Sequence, residues 1–224
     1  MVTPLPASDS TASLMDGIYR YQRHVYDASR RYYLLGRDRM IAELDVPPAG
    51  TVLEIACGTA RNLVAIAKAY PDARLHGIDI SAEMLKSAQA TIRRAGHGEH
   101  IRLAQADAAN LDTEALFGIS RFDRIIFSYS LSMIPPWRHA LWQAADHLAP
   151  GGEIHIVDFS AQSGLPGWFG RALTVWLGKF HVSPRLNLET ELALLAAKAG
   201  GTSRLTSIYR DYALLGRVRR GPIR

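Results

Sequence analysis

The sequence predicts an α/β protein built on a doubly wound, seven-stranded, mostly parallel sheet. Three observations carry that expectation. Residues 51–62, TVLEIACGTARN, run from a β-branched apolar stretch through a turn of small residues into the start of a helix. A second apolar stretch, ARLHGIDIS, carries Asp79 at its end, 21 residues after Gly58. A third, HIRLAQAD, ends in Asp107. Apolar strands alternating with helical segments build parallel sheets, and such sheets take ligands beyond the carboxyl ends of their strands.

The elements follow in order. Residues 1–16 are polar and contain proline, so they read as a disordered tail and not as a secretory leader. Residues 17–46 form an N-terminal segment, helical over 17–44, where Gly36 allows a break, and carry five tyrosines and six arginines between positions 19 and 39. After Pro47-Pro48 the main domain, 47–224, begins with the first strand and its turn. Helix 61–70, strand 73–80 and helix 82–95 come next, then the third strand. The fourth strand, FDRIIFSYSLSMI, is close to continuously apolar and ends in Ser128, Tyr129 and Ser130. Pro135-Pro136 start a helix reaching Leu148, and Pro150-Gly151-Gly152 turn the chain into a fifth strand ending at Asp158 and Phe159.

Residues 160–186 are an additional segment in which Phe169, Leu173, Trp176, Leu177 and Phe180 make one apolar stripe at helical spacing, with Arg171, Lys179 and Arg185 beside it. Such a helix suits a membrane interface, and it equally suits a cover over a pocket. Helix 188–199 and two strands, 202–210 and 211–220, complete the sheet with an antiparallel edge.

A chain of 224 residues accommodates one such domain and little more. No apolar run reaches the roughly 18 residues of a membrane span. The single cysteine, Cys57, excludes an intramolecular disulfide and suits a reducing compartment; its small size explains its place in the turn. The HGEH stretch at 97–100 lacks further ligands at metal spacing, so no metal site is expected. Net charge is +5, divided as +2 over 1–40, −4 over 41–164 and +7 over 165–224. Basic flanks around an acidic centre point to an anionic partner, or simply to an arginine-rich solvated face.

The small-residue turn narrows the ligand. Small side chains let backbone approach a ligand, and the helix start presents unsatisfied N–H groups. Asp79 is placed for ribose hydroxyls and Asp107 for an adenine amino group. The G-x-G-x-x-G spacing of dinucleotide sites is not completed, because position 61 is Arg. An adenosyl ligand carrying an amino acid needs a carboxylate near its α-ammonium, and Glu54 supplies one.

From about residue 17 to its end the chain resembles the class I S-adenosylmethionine-dependent methyltransferases, on VLEIACGTARN, GIDIS, AQADA and LAPGGEIHIVDF. Ala56 and Ala60 stand where the family motif has glycines. The resemblance implies S-adenosyl-L-methionine held by Tyr33, Arg37, Glu54, Ala56, Cys57, Gly58, Thr59, Asn62, Asp79, Ile80, Met84, Asp107, Ala108 and Ser128, with Met84 against adenine and residues 17–46 closing over it as an N-terminal helical lid. Many amine and nucleic-acid enzymes of this class carry N/D-P-P-[YFW] at the end of the fourth strand; Ser-Tyr-Ser here argues against adenine-N6 methylation and, with no recognisable nucleic-acid module, against a nucleic-acid partner.

The stretch His24–Arg37, HVYDASRRYYLLGR, resembles the N-methyltransferases of bacterial betaine-lipid synthesis. That narrower resemblance implies successive methylation of the amine of a diacylglyceryl homoserine lipid, by a cytoplasmic protein peripheral to an anionic inner membrane face. His24, Tyr26 and Tyr129 are the candidate proton acceptors, Arg30 and Arg31 the candidates for the headgroup carboxylate, and Trp168 a candidate lipid contact. Tyrosine walls suit a quaternary product, since aromatic faces attract alkylammonium groups by about 0.5–2 kcal/mol. A phospholipid or small-molecule amine methyltransferase is the alternative, and an RNA methyltransferase a more distant one.

Overall fold

The structure, a computed structural model, describes residues 34–178 and 182–222. The elements in chain order are α1 (Arg37–Ala42), β1 (Thr51–Ile55), α2 (Arg61–Ala69), β2 (Arg74–Asp79), α3 (Ala82–Ala95), β3 (Ile101–Gln105) and α4 (Thr113–Phe117). Then come β4 (Phe122–Ser128), α5 (Trp137–Asp146), β5 (Leu148–Phe159), α6 (Gly167–Gly178), α7 (Leu188–Lys198), β6 (Thr202–Ile208) and β7 (Ala213–Arg219). The seven strands lie in the order β3-β2-β1-β4-β5-β7-β6. β1 to β5 are parallel, while β7 runs antiparallel to both β5 and β6. The chain winds outward from β1 to β3 and then returns to place β4 on the other side of β1. That switch point opens a crevice beyond the carboxyl ends of β1 and β4.

Burial explains the strands. All five residues of β1 are buried, as expected for a strand covered on both faces. Alternate residues face opposite layers. Val52, Ile126 and Val157 pack with α1, α2 and α3, whereas Leu53, Ile125 and Ile154 pack with α5 and α7. Met40, Ile41 and Leu44 enter the first of these clusters, so the segment just before β1 is part of the core.

Local chemistry sets the helix ends. The Ser81 hydroxyl accepts the Met84 N–H at the start of α3, and Gly96 closes that helix in the left-handed region (φ 75°). Gly36 (φ 87°) marks the start of α1, the break expected there. The remainder of the helix expected over 17–44 lies outside the described residues, except 34–36 and 43–44, which are not helical.

Boundaries around β5 and around the last two strands differ from expectation. The helix expected to reach Leu148 stops at Asp146, because Leu148 already pairs with Phe122 as part of β5. The Pro150–Gly152 stretch then lies within the strand, absorbed by a register shift before Arg124 meets Glu153. The last two strands, neighbours in the sheet, do not follow each other directly along the chain. A turn separates them, with Tyr209, Arg210 and Asp211 all left-handed (φ 54°, 56° and 64°).

Polar contacts fasten both ends of the 160–186 segment. The Asp211 carboxylate accepts the hydroxyls of Ser160, Ser163 and Ser207 and the Ser163 N–H. Against the upward push of burial, those donors hold its carboxyl at about 2. At the other end the Arg185 guanidinium donates to the carbonyls of Leu131, Ser132 and Ile134, at 2.9, 3.3 and 2.9 Å. Among the described residues no helix is long and apolar enough to cross a membrane.

Candidate active site

The turn after β1 alternates left-handed positions: Ala56 (φ 56°), Gly58 (φ 54°) and Ala60 (φ 61°). A larger side chain is strained there, which accounts for the small residues and shows that two of the three positions accept a methyl group. The Cys57 N–H donates to the Ile78 carbonyl at 2.8 Å, pinning the turn to β2. The Cys57 side chain is buried and packed, and burial pushes its thiol well up, consistent with a space-filling role.

Two carboxylates face each other across this turn. Glu54, only 2 % exposed, accepts the Asn62 side-chain amide at 2.6 Å, so β1 and the first turn of α2 position it together. Asp79, at the end of β2, accepts the Gly58 N–H at 2.8 Å through one oxygen and the Ser81 N–H at 2.9 Å through the other. Arg37 comes in from α1; burial and the neighbouring Arg61 lower its pKa, while Asp38 and Glu54 oppose that.

One cavity joins these groups to the end of β4. Tyr129 is the left-handed residue there (φ 54°), and its N–H donates to the Val157 carbonyl at 2.7 Å. The kink ends the strand and brings Ser128, Tyr129 and Ser130 all to the cavity wall. The Tyr129 hydroxyl donates to the Leu35 carbonyl at 2.6 Å, and its ring meets Phe159 edge-on with centroids 4.6 Å apart. Burial raises this phenol, so it stays neutral at physiological pH. Met133, Ile134, Trp176, Leu177 and Val182 form an apolar roof.

The expected cofactor residues Arg37, Glu54, Asn62, Asp79, Ile80 and Ser128 all border this cavity. So do the turn residues Ala56, Cys57, Gly58 and Thr59. Met84, Asp107 and Ala108 are not part of its wall. Met84 is a buried residue of α3, and Ala108 packs in the second core cluster. Asp107 follows β3 and accepts the Ala109 N–H at 2.9 Å. The Ala106 N–H donates to the Asp79 carbonyl, so Asp107 lies one strand over from Asp79.

Trp168 is 69 % exposed on α6, and Trp176 of the same helix is the tryptophan at the cavity. Tyr33, His24, Tyr26, Arg30 and Arg31 lie outside the described residues, as do Lys179 and Phe180 and the Phe169 side chain.

Sequence reasoning did not single out Arg61, Ser130, Met133, Ile134 and Val182 as site residues, yet all border the cavity. Ser130 was legible as the partner of Ser128 around Tyr129. Arg61 lies within the 51–62 stretch, at the start of α2, whereas Met133, Ile134 and Val182 carry no periodic signal, because loops distant in sequence bring them to the cavity. Among the described residues no group of acidic, His and Cys side chains could hold a metal ion.

The residues present fit an adenosyl ligand bearing an amino acid. A carboxylate with about four acceptor sites can hold both the turn and a ribose diol, as Asp79 is placed to do. A buried carboxylate at Glu54 matches an α-ammonium group.

Residues 52–152 match the family model described as a methyltransferase domain. The chain is 26 % identical over 148 residues to a demethylmenaquinone methyltransferase of Bacillus cytotoxicus, covering 66 % of this chain and 56 % of the relative. It is 31 % identical over 140 residues to a ubiquinone/menaquinone biosynthesis C-methyltransferase of Syntrophotalea carbinolica, covering 60 % and 56 %. The match thus spans little more than half the length of these relatives. Among solved structures, the [4+2]-cyclase SpnF superposes with a TM-score of 0.71 over 100 % of both chains at 16 % identity, a likeness of fold.

Proposed function

We propose that this chain, whose residues 52–152 match a methyltransferase-domain model, is a class I S-adenosylmethionine-dependent methyltransferase that transfers methyl groups from S-adenosyl-L-methionine to the amine of a diacylglyceryl homoserine lipid, in successive rounds at an anionic inner membrane face. The observation that carries the lipid acceptor is the two-sided character of α6. Trp176 and Leu177 roof the cavity, while Trp168 and Val175 are 69 % and 67 % exposed on the same helix. An apolar outer face beside Arg171, within a segment of net charge +7, suits an anionic bilayer. The His24–Arg37 stretch supports the homoserine headgroup.

The donor supplies an electrophilic methyl group, so the protein needs no strong nucleophile of its own. Its residues hold and exclude. Glu54 and Asp79 fix the amino acid and ribose ends, and Ser128 and Tyr129 mark the end at which transfer occurs. Holding acceptor and methyl in line at near-attack distance lowers the barrier by several kcal/mol. The apolar roof disfavours an ammonium ion, so the amine enters with its lone pair available. Tyr129, a neutral phenol already donating to Leu35, orients this end of the cavity and does not act as a base. His24 and Tyr26 are the proposed proton acceptors, and Arg30 and Arg31 the carboxylate ligands.

A second reading, transfer to carbon or oxygen of a lipid-soluble ring, is favoured by the named activities of the relatives. Mass spectrometry of lipids from cells expressing the chain, with and without the homoserine lipid precursor, separates the two. Precursor-dependent lipids heavier by one to three methyl groups are expected. A methylated quinone with unchanged homoserine lipid would overturn the amine reading.

A further inference from the structure

Ser130 stands out at the transfer end of the cavity. It is 4 % exposed and borders the cavity, and its hydroxyl has no hydrogen-bond partner among the described residues. Its carbonyl closes the following turn, accepting the N–H groups of Met133 and Ile134 at 3.0 Å each, but its side chain does not cap that turn. A buried hydroxyl without a partner is costly, and alanine would fill the same place without that cost. The neighbouring Tyr129 hydroxyl is committed to Leu35, and the surrounding roof is apolar. Ser130 therefore offers a hydrogen bond beneath the apolar roof, beside the Ser128 hydroxyl, which likewise has no partner among the described residues.

We propose that Ser130 positions the methyl acceptor: its oxygen accepts an N–H of the bound amine and so turns the nitrogen lone pair toward the methyl group. This rests on the lipid-amine reading above. In each round the lone pair forms a nitrogen–carbon bond while the donor's carbon–sulfur bond breaks with its electron pair left on sulfur. The alkylated nitrogen then releases one proton, by way of the proton acceptors proposed above, to solvent before the next round. Primary and secondary amines have an N–H for Ser130 to accept, and the dimethylamine of the last round has none. The serine thus assists the first two rounds and not the third.

The test uses the full chain and Ser130→Ala, with short-chain diacylglyceryl homoserine and its monomethyl and dimethyl forms in mixed micelles. Calorimetry measures S-adenosylmethionine affinity, and separately the affinity of the unmethylated lipid for protein saturated with S-adenosylhomocysteine. In the variant, cofactor affinity stays within about twofold and the thermal midpoint does not fall. Unmethylated-lipid affinity and the first two rounds drop roughly five- to tenfold, while the third keeps its rate. Loss of cofactor affinity with unchanged lipid affinity, or equal slowing of all three rounds, overturns the assignment. A wild-type protein that neither binds nor methylates any of the three lipids removes the amine reading itself. A wild-type protein that is active, matched by an equally active variant, removes only the role of Ser130.

Discussion

The carboxylate of Asp79 accepts the backbone N–H of Gly58 at 2.8 Å, tying the end of β2 to the turn that follows β1. The same carboxylate is the expected ribose ligand, so one side chain both shapes the turn and binds. Asp79→Ala should abolish S-adenosylmethionine binding by calorimetry and also lower the thermal midpoint, because the Gly58 and Ser81 N–H groups lose their acceptor. Asp79→Asn keeps one acceptor oxygen and should stay folded while binding about 10–100-fold more weakly, the worth of a charge-assisted bond. Unchanged affinity in both variants would remove Asp79 from the site.

Tyr129 reaches from the end of β4 to the Leu35 carbonyl. Tyr129→Phe should lower stability by about 1 kcal/mol and speed amide exchange around residues 34–37, with the ring contact to Phe159 retained. Burial holds the phenol above its ordinary range, so it remains protonated throughout neutral pH. The wild-type pH–rate profile should show no ionisation of this group between pH 6 and about 9. A profile whose basic limb disappears in the phenylalanine variant would restore Tyr129 as a proton acceptor.

The two tryptophans of α6 should separate in function. Trp168→Ser with Val175→Ser should reduce sedimentation with anionic liposomes several-fold and leave cofactor affinity alone, since both side chains face outward. Trp176→Ala should leave sedimentation intact and raise the acceptor KM, because that ring walls the cavity. Equal liposome binding by the double variant would make α6 a pocket cover only.

At the opposite end of β5, Glu153 takes two hydrogen bonds from Arg217, at 2.7 and 2.6 Å, and lies 3.0 Å from His155. Burial alone would raise its pKa, but His155 and Arg217 outweigh that and hold it at about 2, below an ordinary 4.5. Burial lowers His155 below its ordinary 6.5. Both groups bind fewer protons folded than unfolded, so each contributes stability at neutral pH that is lost as pH falls. The urea midpoint should decline below about pH 6.5 through His155, and further between 4.5 and 2 through Glu153. Glu153→Gln should cost about 2–3 kcal/mol at pH 7, moderated because Arg217 is half in solvent, and should flatten the acidic part of the curve.

The cofactor half of the site was legible because its determinants are local. Glu54, the turn of Ala56, Gly58 and Ala60, and Asp79 sit at fixed spacings around two strand ends, and a strand–turn–helix unit brings such residues together wherever it forms. Met84, expected against adenine from the family resemblance, is a buried residue of α3 outside the cavity wall. The Pro150-Gly151-Gly152 stretch read as a turn, but a strand edge can absorb such residues as an irregularity when the partner register allows.

By itself the sequence determined the parallel α/β framework, the acid at the end of each early strand, and the antiparallel finish, since apolar periodicity and turn residues act over a few positions at a time. Only tertiary packing decided that Tyr129 turns left-handed to bring Ser128 and Ser130 to the cavity, and that Trp176 faces inward while Trp168 faces out. It also decided that Arg185 and Asp211 fasten the two ends of the α6 segment to distant loops. Those outcomes depend on contacts between residues far apart in the chain, and side-chain direction in a loop is set by what it meets across space, which no local pattern encodes.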